Sequence, residues 1–403
     1  MRTFAEAGIG ARTLAALERQ SIVAPVPVQA AAIPALMVGR DVILQAPTGS
    51  GKTLAFLVPM VERVELRGPG PHALVVTPTR ELAQQAESVL ARLGWPARAV
   101  LLYGGIGYAS QTAALKAGAD VVIGTPGRIL DMVGRRLLSL GRLQYVVLDE
   151  ADEMLDAGFA PDVERILGQT WYPQTVLASA TIPAWVARIA DRFLQDPLRI
   201  TVEGTPEQDL LEHGLIRVDR AAKGAVLTRL LRRLDGSAIV FGRTKQGVRG
   251  LNRELRRRGI DCAELQGDLP QPVRDRTLQS FRQRRLPVLV ATNVAARGLD
   301  ITHVDLVVNA ELPDSPDWLV HRVGRTARMG RRGWALTMVS PEDGARWRRL
   351  RWQGAPDLPE VDLEHLLKGG GWRYLERQAE PPEPAPPRRR RRRPSRRPRP
   401  VAA

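Results

Sequence analysis

Two short segments of this 403-residue chain carry residues whose types and spacing suit phosphate chemistry. Ala46-Pro47-Thr48-Gly49-Ser50-Gly51-Lys52-Thr53 gathers glycines, one lysine and hydroxyls behind the apolar run Asp41–Gln45. Glycines let backbone N–H groups converge on phosphate oxygens, and a helix opening there adds partial positive charge. Lys52 is placed to meet the β- and γ-phosphates, and the Thr53 hydroxyl to ligate Mg²⁺. The second segment, Asp149-Glu150-Ala151-Asp152, follows Tyr145-Val146-Val147-Leu148. A carboxylate at the end of a buried strand, Asp149, can hold the metal, usually through water. Glu150 is then placed to orient or deprotonate an attacking water. Together the segments predict a site that binds a nucleoside triphosphate with Mg²⁺ and can hydrolyse it.

The elements that position these groups are legible as alternating strands and helices. Apolar runs of strand length recur at Asp41–Gln45, Ala73–Thr77, Ala97–Leu102, Asp120–Gly124, Tyr145–Asp149, Thr175–Ser179 and Leu198–Val202. Helical patterns such as Glu81–Leu93 and Ala184–Leu194 fall between them. Near-continuous apolar strands alternating with helices predict a buried parallel sheet with ligands at its carboxyl edge. The polar stretch Glu203–Asp209 reads as a linker. The alternation then restarts with strands expected at Leu215–Val218, Ala238–Gly242, Val288–Thr292, Val304–Asn309 and Trp334–Met338, and helices at Thr244–Arg258 and Pro272–Gln283. The reading is therefore α/β, with two parallel-sheet domains flanking a cleft, over residues 31–205 and 210–345, behind an N-terminal region 1–30. Residues 346–380 are expected to form a short helical extension, and 381–403 a disordered Arg/Pro-rich tail.

Charge narrows the partner. The formal net charge is +16, of which the nine arginines and one glutamate of residues 381–403 supply +8. A basic body with a more basic tail predicts a polyanionic partner, most simply nucleic acid. Arginine outnumbers lysine 54 to 5, a bias that compositional pressure on the genome explains as well as function does. The tail arginines Arg388–Arg393, Arg396, Arg397 and Arg399 are read as a salt-sensitive RNA tether, against the alternative of a solubilising tail. One cysteine, Cys262, excludes an intramolecular disulfide. No apolar stretch reaches the roughly 18 residues of a membrane span, and the N-terminus lacks an apolar signal core, so a cytoplasmic protein is expected.

With these segments in view, the chain resembles the DEAD-box RNA helicases, whose name spells Asp149–Asp152, over about residues 4–340 and in the family's motif order. The resemblance implies RecA-like domains, ATP and Mg²⁺ as cofactors, and RNA as partner. It implies that Phe4 and Gln29 recognise adenine, although Ser21-Ile22 and Val26 stand where the family has other residues, and that Ala46 through Thr53 hold the phosphates. Pro78-Thr79-Arg80-Glu81-Leu82-Ala83, Gly104-Gly105 and Thr125-Pro126-Gly127-Arg128 resemble RNA-contact motifs, with Thr79, Arg80, Gly105, Thr125 and Arg128 implied in contact. Thr125 in isolation reads equally well as a helix cap. In the second domain the resemblance implies RNA contacts from Phe241, Gln271, Arg274 and Thr292, and nucleotide contacts from Gly298 and Asp300. Gln266 replaces the family's usual His, and Asn293 its more frequent Asp. Ser179, Thr181, Asp152 and His321 are implied to couple the two ligands. Arg325 and Arg328, three apart on one helix face, resemble arginine fingers, with Ala327 in place of the usual Gly. Hydrolysis would then require domain closure favoured by RNA. An RNA clamp or annealing protein and a DNA-directed helicase remain competing readings.

Overall fold

The computed structural model describes residues 2–47, 49–202, 210–293, 303–327 and 331–368. Thr48, the linker Glu203–Asp209, Gly298, Asp300, Arg328 and the tail 381–403 lie outside the described residues.

The first sheet contains β1 (Val42–Gln45), β2 (Ala73–Val76), β3 (Ala99–Leu102), β4 (Val121–Gly124), β5 (Tyr145–Asp149), β6 (Gln174–Ser179) and β7 (Leu198–Thr201). The helices around it are α1 (Ala11–Glu18), α2 (Pro27–Met37), α3 (Lys52–Arg63), α4 (Arg80–Arg92), α5 (Tyr108–Lys116), α6 (Pro126–Gly134), α7 (Ala151–Asp156), α8 (Ala160–Leu167) and α9 (Ala184–Phe193). The strand order is β3-β4-β2-β5-β6-β1-β7, every pair parallel. The strands read as continuous apolar runs because both faces are covered. Tyr145 and Val147 of β5 enter one core with Phe56 and Leu57, while Val146 and Leu148 enter the other with Ile129 and Met154. This is the two-residue alternation of a strand applied to two buried faces.

The second sheet contains β8 (Leu211–Arg217), β9 (Ala238–Gly242), β10 (Cys262–Leu265), β11 (Val288–Thr292), β12 (Leu306–Asn309) and β13 (Gly333–Val339). Its helices are α10 (Lys223–Arg233), α11 (Lys245–Arg257), α12 (Gln271–Arg282), α13 (Pro316–Val323), α14 (Gly344–Trp352) and α15 (Leu363–Leu367). The order is β10-β11-β9-β12-β13-β8, again parallel.

Three features depart from the sequence reading. Strand β10 was not expected: it is a short edge strand holding the polar Glu264, so it has no continuous apolar run. Strand β8 begins four residues before the expected Leu215, because its half-exposed start Leu211-Glu212-His213 is held by register with Gly333–Ala335 rather than by hydrophobicity. The C-terminal extension is more than helical. Leu215 N–H donates to the Pro359 carbonyl at 2.8 Å and Val361 N–H to the Leu215 carbonyl at 2.8 Å, so residues 359–361 strap the open edge of β8. Trp347 and Leu350 of α14 anchor the strap by packing on Leu215, Leu312 and Leu319.

Candidate functional site

The order of the first sheet divides its carboxyl edge into two halves. The phosphate loop follows β1, the acidic tetrapeptide follows β5, and Ser179 ends β6; these three strands are adjacent. Thr79 and Arg80 follow β2, Gly105 follows β3, and Thr125 and Arg128 follow β4, which occupy the other half. The second sheet repeats the division. Gln271 and Arg274 follow β10 and Thr292 ends β11, whereas His321 and Arg325 lie on or just beyond α13 after β12.

The nucleotide half is built from buried charge. Gly51 caps α3 at φ +99°, and a Cβ there would lie 2.8 Å from the Gln29 amide nitrogen, so only glycine lets the loop turn against α2. Lys52, 4% exposed, donates to the Ala46 and Pro47 carbonyls at 2.8 and 3.1 Å and lies 3.4 Å from a Glu150 carboxylate oxygen. Burial, then the neighbouring Glu150 carboxylate, pushes the Asp149 carboxyl well above the usual range, while Lys52 opposes the shift. Asp149 Oδ1, Glu150 Oε2 and Ser50 Oγ are buried without hydrogen-bond partners. Glu150 takes a left-handed backbone, φ 53°, a strained conformation that recurs at functional sites. A buried lysine beside two carboxylates with open oxygens fits a phosphate and a hydrated divalent cation, which would supply the missing partners.

Asp152 organises the junction. Its Oδ2 accepts from both the N–H and the hydroxyl of Thr181 at 2.8 Å, and its own N–H donates to Ser179 Oγ at 3.1 Å. From the second sheet, the His321 imidazole approaches Asp152 to 3.9 Å and Glu153 to 3.7 Å, and Arg325 lies 3.9 Å from Glu153. Glu153, 1% exposed, is a site residue that the sequence reading missed. Its only signal is a fourth acid beside Asp152.

On the other half, Gly105 has φ +82°, and a Cβ there would sit 2.9 Å from Arg80 Nη2, so the loop leaves room for that guanidinium. Thr79 caps α4 through Leu82 N–H at 3.3 Å. Thr125 occupies the cap position of α6 but makes no side-chain capping bond. Arg274 donates to Glu81 at 2.6 Å across 193 residues of sequence, both side chains being more than nine-tenths buried. Arg80 lies 3.8 Å from the same carboxylate, and burial lowers its pKa. Glu81, placed by the sequence in an RNA-contact motif but given no role of its own there, is thus a joint between the two sheets. Gln271 donates to Asp275 at 2.7 Å, and Thr292 is buried at the end of β11.

Two implied contacts are corrected and a third is narrowed. The Phe4 ring is 3% exposed and packs in the first core, so it offers no face for a base to stack on. The Phe241 ring, 1% exposed, packs in the second core beneath the Arg322 guanidinium at 5.1 Å, and is a support rather than an RNA surface. The Gln29 amide accepts from Val26 N–H at 3.1 Å and donates to the Gly51 carbonyl at 3.2 Å, tying the loop before α2 to the phosphate loop. Only its remaining donor and lone pair are open to a base.

Arg322 itself is fully buried, and its hydrogen-bond acceptors are all uncharged. It donates to Asn293 Oδ1 at 2.6 Å, Asn309 Oδ1 at 3.1 Å and the Glu311 carbonyl at 2.7 Å, and burial lowers its pKa to about 9.

Comparison with known proteins settles the family. The DEAD/DEAH box helicase model matches residues 26–189, and the helicase conserved C-terminal domain model residues 222–330. The DEAD-box ATP-dependent RNA helicase CshA of Bacillus subtilis is 41% identical over 383 residues, covering 93% of this chain and 78% of that protein. The chain belongs to the DEAD-box helicases. The ATP-dependent RNA helicase DeaD of Mycobacterium tuberculosis is 43% identical over 347 residues, and this chain spans only 61% of its length. Among solved structures, S. cerevisiae Dbp5 bound to RNA and ADP BeF3 matches with a TM-score of 0.78 at 30% identity, covering 91% of this chain and 98% of that one. A DEAD box protein from Methanococcus jannaschii matches at 33% identity over 88% of this chain and 98% of that one, with a TM-score of 0.52.

Proposed function

We propose that this chain is an RNA-dependent ATPase that closes on ATP and RNA together and locally separates or remodels RNA duplexes or RNA–protein complexes. One observation carries the reading: nucleotide and RNA motifs occupy opposite halves of the same sheet edge, and the second sheet meets both halves through His321, Arg325 and Arg274. In this reading residues 31–205 form the ATP-binding unit, 210–345 its partner, and 346–380 an extension whose residues 359–361 form the strap. The protein acts in the cytoplasm; among the described residues no helix is long and apolar enough to cross a membrane.

Lys52 and the loop Ala46–Thr53 bind the ATP phosphates, and Thr53 and Asp149 would hold Mg²⁺, which when bound would supply charge neutralisation at the γ-phosphate. Glu150 orients the attacking water and takes its proton; Arg325 and Arg328 meet the charge that develops on the γ-phosphate. Thr79, Arg80, Gly105, Thr125, Arg128, Gln271, Arg274 and Thr292 line the RNA track, and Gly298 and Asp300 complete the nucleotide side. Asp152, Ser179, Thr181 and His321 transmit closure between the halves, because three of the hydrogen bonds at Asp152 tie the acidic tetrapeptide to the segment Ser179–Thr181.

The test is ATPase activity with and without RNA and with DNA of matched sequence, alongside a duplex-unwinding assay. Wild type should be stimulated by RNA, spare DNA, and unwind only with ATP. Glu150→Gln should hold RNA with ATP and fail to turn over. Equal stimulation by DNA, or rapid turnover by Glu150→Gln, would sink the substrate class or the assignment of the base respectively.

A further inference from the structure

The Arg128 side chain is 8% exposed, and its Nη1 is buried with no hydrogen-bond partner. Its Nη2 donates to the Ile106 carbonyl at 3.2 Å, which ties it to the loop that carries Gly105. The guanidinium also lies 4.3 Å from the centroid of the Tyr108 ring. On that same ring lies a second guanidinium, Arg135, at 4.2 Å. Arg128 and Arg135 are seven residues apart on α6 and its C-terminal cap, hence about 10 Å apart along the axis and on one face, so the ring fits between them. Arg135 in turn donates to Asp131 Oδ1 at 3.0 Å, and the other oxygen of Asp131 lies 3.9 Å from Arg128 Nε. The hydrogen bond from Arg135 is the main influence holding the Asp131 carboxyl below its ordinary range. Tyr108 is 42% exposed and Arg135 52%, so the stack opens to solvent while Arg128 does not.

We infer that Tyr108 is a positioning residue for RNA binding, acting through Arg128. The inference rests on the proposed RNA track. A guanidinium with free rotamers loses much of its phosphate affinity to ordering entropy. Here the ring fixes the plane of Arg128, its negative face screens the repulsion between the two arginines, and Asp131 with Arg135 braces the ring from outside. One edge of the Arg128 fork is consumed by Ile106, and the edge left over is the one a phosphate oxygen would complete. Nothing in the order of motifs along the chain points to Tyr108: it opens α5, whereas Arg128 lies in the first turn of α6.

The experiment compares full-length Tyr108→Leu, Tyr108→Phe, Arg135→Gln and Arg128→Ala, and each of the first three combined with Arg128→Ala. The readouts are the oligouridylate concentration for half-maximal ATPase, the RNA-free ATPase and the melting temperature. Tyr108→Leu should raise the half-maximal concentration roughly three- to tenfold at unchanged RNA-free rate, the loss expected for one cation–π contact. Tyr108→Phe keeps the ring and should stay within about twofold of wild type. Arg135→Gln, an exposed change that leaves the cores alone, should weaken RNA dependence in the same direction. In the Arg128→Ala background, Tyr108→Leu and Arg135→Gln should have no further effect, since an intermediary has been removed. Additive losses in that background, or wild-type RNA dependence in Tyr108→Leu, would overturn the inference. Wild-type RNA dependence in Arg128→Ala alone would overturn the RNA track itself, which is a distinguishable failure.

Discussion

The ion pair between Glu81 and Arg274 yields the most demanding prediction. At 2.6 Å, with both side chains over nine-tenths buried, it joins α4 of the first sheet to α12 of the second. Arg80 crowds the same carboxylate at 3.8 Å. Replacing Glu81 with Gln keeps the shape and removes the charge, leaving two guanidiniums facing each other out of water. Breaking one partner of such a buried pair costs about 3–5 kcal/mol. The cost falls on the closed arrangement alone, because Arg274 regains water once the sheets separate. Taking the lower figure, at about 1.4 kcal/mol per tenfold, closure becomes roughly 100-fold less favourable. RNA-stimulated ATPase titrated with RNA is the assay, with a fluorophore pair across the cleft reporting closure. We expect the half-maximal RNA concentration to rise by about two orders of magnitude, while the RNA-free rate and the melting temperature barely move. The reversed pair, Glu81→Arg with Arg274→Glu, should recover part of the loss. Glu81→Gln titrating within about twofold of wild type would refute the reasoning, and would leave Arg274 as an RNA ligand only.

Two further outcomes follow from the buried polar chain of the second sheet. The His213 imidazole lies 3.0 Å from Thr337 Oγ1, and Asn309 Nδ2 donates to the same hydroxyl at 3.0 Å, so the chain runs on to Arg322. Burial lowers the His213 pKa to about 4 from an unfolded value of 6.5, so the unfolded chain binds the extra proton across that window. Stability is therefore complete above about pH 6.5 and declines as pH falls toward 4, by roughly 2 kcal/mol after solvent screening at this part-buried position. His213→Gln should flatten the melting temperature between pH 6.5 and 4; an unchanged slope would remove His213 as the source. Asn293→Asp would place a carboxylate where Arg322 now meets an amide at 2.6 Å, and should raise stability by about 1–2 kcal/mol, read in a urea melt; a destabilised protein would show that an uncharged acceptor is required there.

A residue's role is legible in the sequence when it acts through its own chemistry and hidden when it acts through its partners. Lys52, Asp149, Glu150 and Asp152 were legible because their residue types sit at strand ends, where a parallel sheet gathers ligands. Both sheets were legible for a related reason: strands such as Val146–Leu148 and Val288–Val290 are buried on two faces and so read as unbroken apolar runs. Strand β10 escaped because Glu264 interrupts such a run at the sheet edge. Phe4 and Phe241 were assigned to ligands by motif position, yet both rings are committed to cores, and a motif does not reveal which face of a ring is already covered. Glu81, Glu153 and Asn293 gain their roles from partners on distant segments, and one sequence holds no record of that pairing.

The strap of residues 359–361 bears on how the chain behaves when cut. An exposed edge strand is a template on which a second molecule can add its own strand. Leu215 already exchanges hydrogen bonds with Pro359 and Val361, and Trp347 and Leu350 seal the outer side. Ending the chain after Val339, where the last strand closes, would uncover β8 and the apolar ground beneath α14 at once. Such a truncation would keep every motif residue and still be driven toward self-association. The segment after the last motif therefore acts as a guard against aggregation, and gene boundaries chosen by motif alone would discard it.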